Sequence, residues 1–211
     1  GQFAEVVETC VIVHQSRFEV DLNRPVELSV YQGPEQAWGM DVWKDRLPQE
    51  VLMRSLLRRR EFYLQLEDLL RRKRDRYGEV VVLDIHSYNH RRAGGDEPPE
   101  AETENPDINV GTGSMDRDAW AHVVDPVMET MSAFDRAGRR LDVRENVKFK
   151  GGELARWVHR TFPESGCALA IEFKKVFMNE WTGELDTGMI KAYRDLVRGI
   201  VPVIERAIID R

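Results

Sequence analysis

Residues 78–92 read GEVVVLDIHSYNHRR, and this stretch decides the fold. Val80, Val81, Val82, Leu83 and Ile85, interrupted only by Asp84, form a short apolar run. Its length and β-branched content read as a strand buried on both faces, and therefore as an interior strand of a sheet covered by helices. The run then turns polar, with Asp84, His86, Ser87, Tyr88, Asn89, His90, Arg91 and Arg92 crowding donors, acceptors and candidate ligands together. Open α/β sheets gather their ligands at the C-terminal ends of parallel strands, so function is expected here.

Working outward, the period changes from two to 3.6 on the N-terminal side. Leu52, Leu56, Leu57, Phe62, Leu66, Leu69 and Leu70 recur at threes and fours among charged residues, which predicts a long amphipathic helix over 47–77 with Pro48 in its first turn. Gly78 stops it. Before it, residues 27–45 contain Gly33, Pro34 and Gly39 and read as a loop anchored in part by Trp38 and Trp43. Phe18, Val20 and Leu22 alternate with Glu19, Asp21 and Asn23, which predicts a strand with one apolar face that ends before Pro25. Residues 5–13, EVVETCVIV, read as another strand.

On the C-terminal side, residues 93–107 are rich in Gly, Pro and acid and predict a mobile loop, placed to be a lid or rim of the polar mouth. Strands are predicted at 108–113, 140–147 and, most strongly, at 167–173 (CALAIEF). Helices are predicted over 118–134, capped by Asp116, over 153–162, and over 187–209 with a bend or boundary at Pro202. Strands alternating with helices in this way predict one α/β domain over 1–211, a three-layer sandwich with a mixed, mostly parallel central sheet.

Composition narrows the class. With 211 residues, 42% hydrophobic and 32% charged, the chain is long enough for one sizeable core. It has no apolar run of membrane-spanning length. A formal net charge of -6 argues against a general nucleic-acid binder. The basic runs at 58–60 and 71–76 fit a solvated helix face and a helix C-terminus. Cys10 and Cys167 sit in apolar sequence surroundings and are expected as buried thiols in a reducing compartment. With no signal-peptide pattern at its start, the chain is expected in the cytoplasm. The loop bearing Trp38 and Trp43 offers a surface through which a homo-oligomer could form.

Glu172 stands between Ile171 and Phe173 in the second strong apolar run, where an uncompensated carboxylate is costly. Two readings stand: a structural ion pair with an arginine or lysine, or a general base tuned by partial burial.

The segments VDLNRP (residues 20–25), DIHSY (84–88) and the strand-borne Glu172, in that order, resemble the motifs of zinc carboxypeptidases and their relatives. Within that superfamily SRFEVDLNRP, VLDIHSY, NVKFKGG and ALAIEFKKVFMNE are most similar to the N-formylglutamate amidohydrolase family. The resemblance implies a zinc-carboxypeptidase-like (phosphorylase/hydrolase-like) fold. It also implies hydrolysis of the amide bond of an N-acyl amino acid by a zinc-activated water, with arginine holding the substrate's free carboxylate. Carried onto this sequence, His86 would be a zinc ligand, Glu172 the general base, and Asn23 and Arg24 the carboxylate site. Arg17 and Arg92 would be further substrate contacts, Tyr88 an oxyanion or gating group, and Asp84 the residue that orients His86.

The His-x-x-Glu motif that supplies two more zinc ligands in such enzymes, well before the DLNR stretch, is missing from this sequence, and catalytic zinc ordinarily takes three protein ligands. Three explanations stay open: the chain lacks an N-terminal portion, His14 or His90 substitutes, or catalysis has been lost and the fold kept. The alternatives to an amidohydrolase are therefore an inactive homologue that binds carboxylate ligands and a carboxypeptidase-like peptide hydrolase.

Overall fold

In the computed structural model, which describes residues 5–136 and 138–210, the apolar run folds as β1 (Val80–Tyr88) directly after helix α1 (Gln49–Tyr77). Gly78 makes the turn between them, with φ of 86° and its N–H donating to the Arg74 carbonyl, a positive φ that glycine adopts without a Cβ penalty. The chain continues through β2 (Ile108–Gly111), α2 (Ala121–Ala133), the short pair β3 (Asp135–Arg136) and β4 (Arg139–Arg140), β5 (Val143–Glu145), α3 (Glu153–Thr161), β6 (Gly166–Lys174) and α4 (Thr187–Ile209).

The main sheet has the order β1-β6-β2-β5. β1 runs parallel to β6 and β2 parallel to β5, while β2 and β6 are antiparallel, so the sheet is mixed and largely parallel as expected. One expectation is corrected: β1 lies at the edge of the described sheet, and β6 and β2 are its interior strands. The apolar run of β1 reports that helices cover both its faces, and face burial says nothing about how many strands flank it.

Alternation along β1 and β6 sends their side chains to two cores. Val81, Leu83 and Ile85 join Cys167, Leu169, Ile171 and Phe173 against α2 and α4, where Val123, Val127, Met131, Leu196 and Ile200 are buried. On the other face Val82 and Ala168 pack against Leu66 and Leu70 of α1 and Ala155 and Val158 of α3. The helices thus lie on both faces of the sheet and complete a three-layer sandwich. No helix among the described residues is long and apolar enough to cross a membrane.

The N-terminal expectations fail in an instructive way. No strand forms at 5–13, where Val11, Ile12 and Val13 are exposed, nor at 18–23, which folds as turns. In the second case the Asp21 carboxylate accepts the N–H of Asn23 at 3.0 Å, and this local side-chain bond replaces a strand ladder. Cys10 is exposed, whereas Cys167 is buried, and both are free. α4 runs through Pro202 without a boundary.

Candidate active site at the ends of two parallel strands

The parallel register places His86 of β1 opposite Glu172 of β6, and Asp84 opposite Ala170. Because residues two apart on a strand share a face, Asp84, His86 and Glu172 all point to the α1 and α3 side, just beyond the apolar layer of Val82 and Ala168. Small residues sit where the site needs room, and carboxylates and imidazole follow.

His86 Nε2 lies 2.8 Å from Asp84 Oδ1 and 3.1 Å from Asn23 Nδ2. The Asn23 amide is oriented by a second bond: its Oδ1 accepts the Leu154 N–H at 2.9 Å, so its NH2 group must face the imidazole. Nε2 therefore stands between one acceptor and one donor and can satisfy only one of them at a time. Burial works against the imidazolium, yet the hydrogen bond and charge of Asp84 outweigh it, and the His86 pKa is raised above its ordinary value. That shift favours the form in which Nε2–H donates to Asp84. The other Asp84 oxygen, Oδ2, is buried without a hydrogen-bond partner among the described residues.

Burial raises the Glu172 pKa; His86 opposes the shift, Asp84 reinforces it, and Arg17 opposes it more weakly. The Arg17 charge bears on His86 as well, so its guanidinium belongs to the same electrostatic neighbourhood. Arg17 is held by Asp21, to which Nε and Nη2 donate at 3.2 and 2.5 Å. Asp21, 3% exposed, also accepts the Tyr31 hydroxyl at 2.5 Å. Burial penalises the Asp21 carboxylate, but the bonds from Tyr31 and Arg17 hold its pKa below the usual range. Half of the Arg17 side chain remains exposed, beside the Trp38 ring at 4.9 Å.

The other expected residues are placed differently. Arg24 donates Nη1 to the Gln36 carbonyl at 3.0 Å and stacks on Tyr31 and Trp38, so its guanidinium secures the loop of residues 20–38. Tyr88 is buried, donates its hydroxyl to the Pro106 carbonyl and packs against Phe149. Arg92 is exposed, 3.8 Å from Glu100. His14 is exposed, and His90 lies 2.8 Å from the buried Glu180. The structure thus gathers His86, Asp84, Glu172, Asn23 and Arg17, and leaves Arg24, Tyr88 and Arg92 with bonds elsewhere.

The loop after β1 is fastened at its far end. Lys148 Nζ donates to Glu100 at 2.9 Å and Asn105 at 2.5 Å, and Arg144 donates to the carbonyls of Glu102 and Thr103. The buried Lys174 adds bonds to the Asn105 carbonyl and to Asp107. A lid made of this loop would therefore be confined to its first half.

Sequence reading missed Asp21 and Tyr31. The spacing of Asp21 and Asn23 is a recognisable turn signal, but nothing local announces that Tyr31 closes onto it.

The zinc that the resemblance implies meets a short donor set. Among the described residues no group of three or more His, Cys, Asp or Glu side chains is placed to hold a metal ion. His86 Nε2 and Asp84 Oδ1 are adjacent, but Nε2 is already in contact with the Asn23 amide. By themselves these residues do not fit a catalytic zinc site.

Comparison with family models matches residues 2–178 to the family described as N-formylglutamate amidohydrolase. No curated protein matches the sequence. Among solved structures, the N-formylglutamate amidohydrolase from Ralstonia eutropha JMP134 is similar with a TM-score of 0.65 and 18% identity, covering 90% of this chain and 73% of its own. Gene product Atu2144 from Agrobacterium tumefaciens is similar with a TM-score of 0.54 and 18% identity, covering 90% of this chain and 69% of its own.

Proposed function

The chain belongs to the N-formylglutamate amidohydrolase family, and from that premise we propose that it hydrolyses the amide bond of a small N-acyl amino acid carrying a free carboxylate, N-formylglutamate being the first substrate to test. The observation that carries this reading is the in-register pair His86 and Glu172 at the C-terminal ends of two parallel strands, with Asp84 and Arg17 bearing on both.

Each residue has a role that its surroundings support. Arg17, fixed by Asp21 and half exposed, receives the substrate carboxylate; its planar fork suits two parallel charge-assisted bonds. Arg24, expected in that role from the sequence, instead stiffens the loop that carries Asn23. Glu172 takes a proton from water as the oxygen adds to the acyl carbon, and its raised pKa makes it a stronger base than an exposed carboxylate. Asp84 favours the imidazolium of His86 and takes its Nε2–H, which leaves the other ring N–H to donate to the oxyanion that develops on the carbonyl oxygen. When the C–N bond breaks, Glu172 returns its proton to the leaving nitrogen, giving the free amino acid and the carboxylic acid of the acyl group.

The test is release of formate and of a primary amine from N-formylglutamate by the full chain. Turnover that falls by about 10²–10⁴ in Glu172→Gln supports the reading. No turnover by the wild type, or equal turnover by the variant, overturns it. A second reading, carboxylate binding without hydrolysis, is favoured by the short metal-donor set. It predicts that Arg17→Ala abolishes binding of N-formylglutamate while Glu172→Gln preserves it and no substrate is consumed.

A further inference from the structure

Asn23 touches both His86 and the first turn of α3, and its backbone is bonded on both sides. α3 begins after Gly152, which has no side chain with which to cap the first N–H groups of the helix. Asn23 caps it from outside: its backbone carbonyl accepts the Glu153 N–H at 3.1 Å and its Oδ1 accepts the Leu154 N–H at 2.9 Å. Glycine at 152 is what permits the approach, since a Cβ there would lie 2.2 Å from Asn23 Oδ1. The neighbouring carbonyls are taken by α1. The Tyr63 hydroxyl donates to Leu22 O at 2.6 Å, and Arg59 Nη2 donates to Arg24 O at 2.9 Å. Three consecutive carbonyls, those of Leu22, Asn23 and Arg24, are thus held by two helices.

The α1 side of this clamp is itself rigid. Tyr63 is buried, its ring packs edge-on against Trp157 at 5.0 Å, and the Arg59 guanidinium lies over the ring, 4.5 Å from its centroid. Burial pushes the Tyr63 hydroxyl up to about 12, so it remains a donor at any working pH. We propose that Tyr63, assisted by Arg59, is a positioning residue for the hydrolysis: through the Leu22 and Arg24 carbonyls it holds Asn23 against the edge of the His86 ring, 3.1 Å from Nε2, and so limits the position from which Nε2–H reaches Asp84. The proposal rests on the amidohydrolase reading for its kinetic consequence, but not for its structural one.

Tyr63→Phe keeps the packed ring and removes only the hydroxyl, and Arg59→Met keeps an apolar stem over that ring. In each, kcat for N-formylglutamate should fall roughly tenfold with KM little changed, because a small displacement of a positioning group acts on the reacting geometry. In an Asn23→Ala background the Tyr63→Phe change should cost nothing further, since both act through one contact. Losses that multiply would overturn the proposal. Independently of turnover, amide hydrogen exchange at Leu154 should speed up several-fold in Tyr63→Phe, while Leu169 in the middle of β6 stays protected. Unchanged exchange at Leu154 also overturns the proposal. A wild-type protein that releases no formate would sink the amidohydrolase reading alone, and the exchange arm would still decide this one.

Discussion

The two faces of the β1 and β6 pair are built from alternate residues of the same strands, yet they do different work. Toward α2 and α4 the side chains are Leu83, Ile85, Leu169, Ile171 and Phe173, and on β6 the packing continues apolar as far as Phe173. Toward α1 and α3 the apolar layer stops at Val82 and Ala168, and Asp84, His86 and Glu172 take over. One face closes the core, and the other opens a site on top of it. A pleated strand makes this possible because a single residue step moves a side chain from one environment to the other. Glu172 and its neighbour Ile171 show the contrast at its sharpest.

The largest effect that would test this contrast is catalytic. Glu172→Gln is expected to lower kcat by about three orders of magnitude while leaving the thermal midpoint nearly unchanged. A variant that unfolds instead would show that this face is core too.

Ile171→Ala should do the reverse. Deleting a fully buried aliphatic side chain costs about 3–4 kcal/mol through lost transfer energy and the cavity left behind, so the urea midpoint should fall sharply while activity per folded molecule is kept. Loss of activity without loss of stability would break the division between the faces.

A smaller effect comes from the edge of the site face. His159 of α3 accepts the Ala168 N–H at 3.0 Å through Nε2, and its Nδ1 lies 2.8 Å from the Ser114 hydroxyl. Its ring thereby satisfies a strand N–H below the last β2 partner of β6, Ala170. Burial lowers its pKa from 6.5 to about 4, with only a weak opposing contribution from Ser114. The unfolded chain therefore takes up a proton near pH 6.5 while the folded chain resists until about pH 4, so stability is lost as pH falls through that window and not above it. With solvent screening allowed for, the loss is on the order of 2 kcal/mol. Urea midpoints measured from pH 7 to pH 4 should fall less steeply in His159→Gln than in the wild type; parallel curves would remove His159 as the cause.

The smallest expected effect belongs to Arg92, exposed and 3.8 Å from Glu100. Arg92→Ala should change stability by less than about 0.5 kcal/mol. It should leave the KM for N-formylglutamate unchanged, and a large rise in KM would bring the first half of the loop after β1 into the site.

Much of the fold was legible because its signals are periodic and local. α1, α3 and α4 lie within two residues of where apolar spacing and the Gly and Pro punctuation put them, and β6 extends the CALAIEF run by one residue at each end. The N-terminal strands were not legible. In residues 18–23 the alternation was real, but Asp21 spends its carboxylate on Asn23, Arg17 and Tyr31 and thereby selects turns. Of the candidate site, His86, Asp84, Glu172, Asn23 and Arg17 could be named from their motifs. That Arg17, and not Arg24, bears electrostatically on His86 and Glu172 could not, because both arginines flank the same carboxylate in sequence and only the folded loop decides where each guanidinium lies.

By itself the sequence determined the layered α/β class, the family and the strand ends where chemistry would gather, since periodicity and ordered motifs are properties of the chain alone. Tertiary structure decided that β1 lies at the edge of the described sheet, that two helices hold Asn23 beside His86, and that Arg17 bears on His86 and Glu172. Those outcomes depend on hydrogen bonds and charges between segments up to 131 residues apart, and no local pattern encodes which distant partner a donor will find.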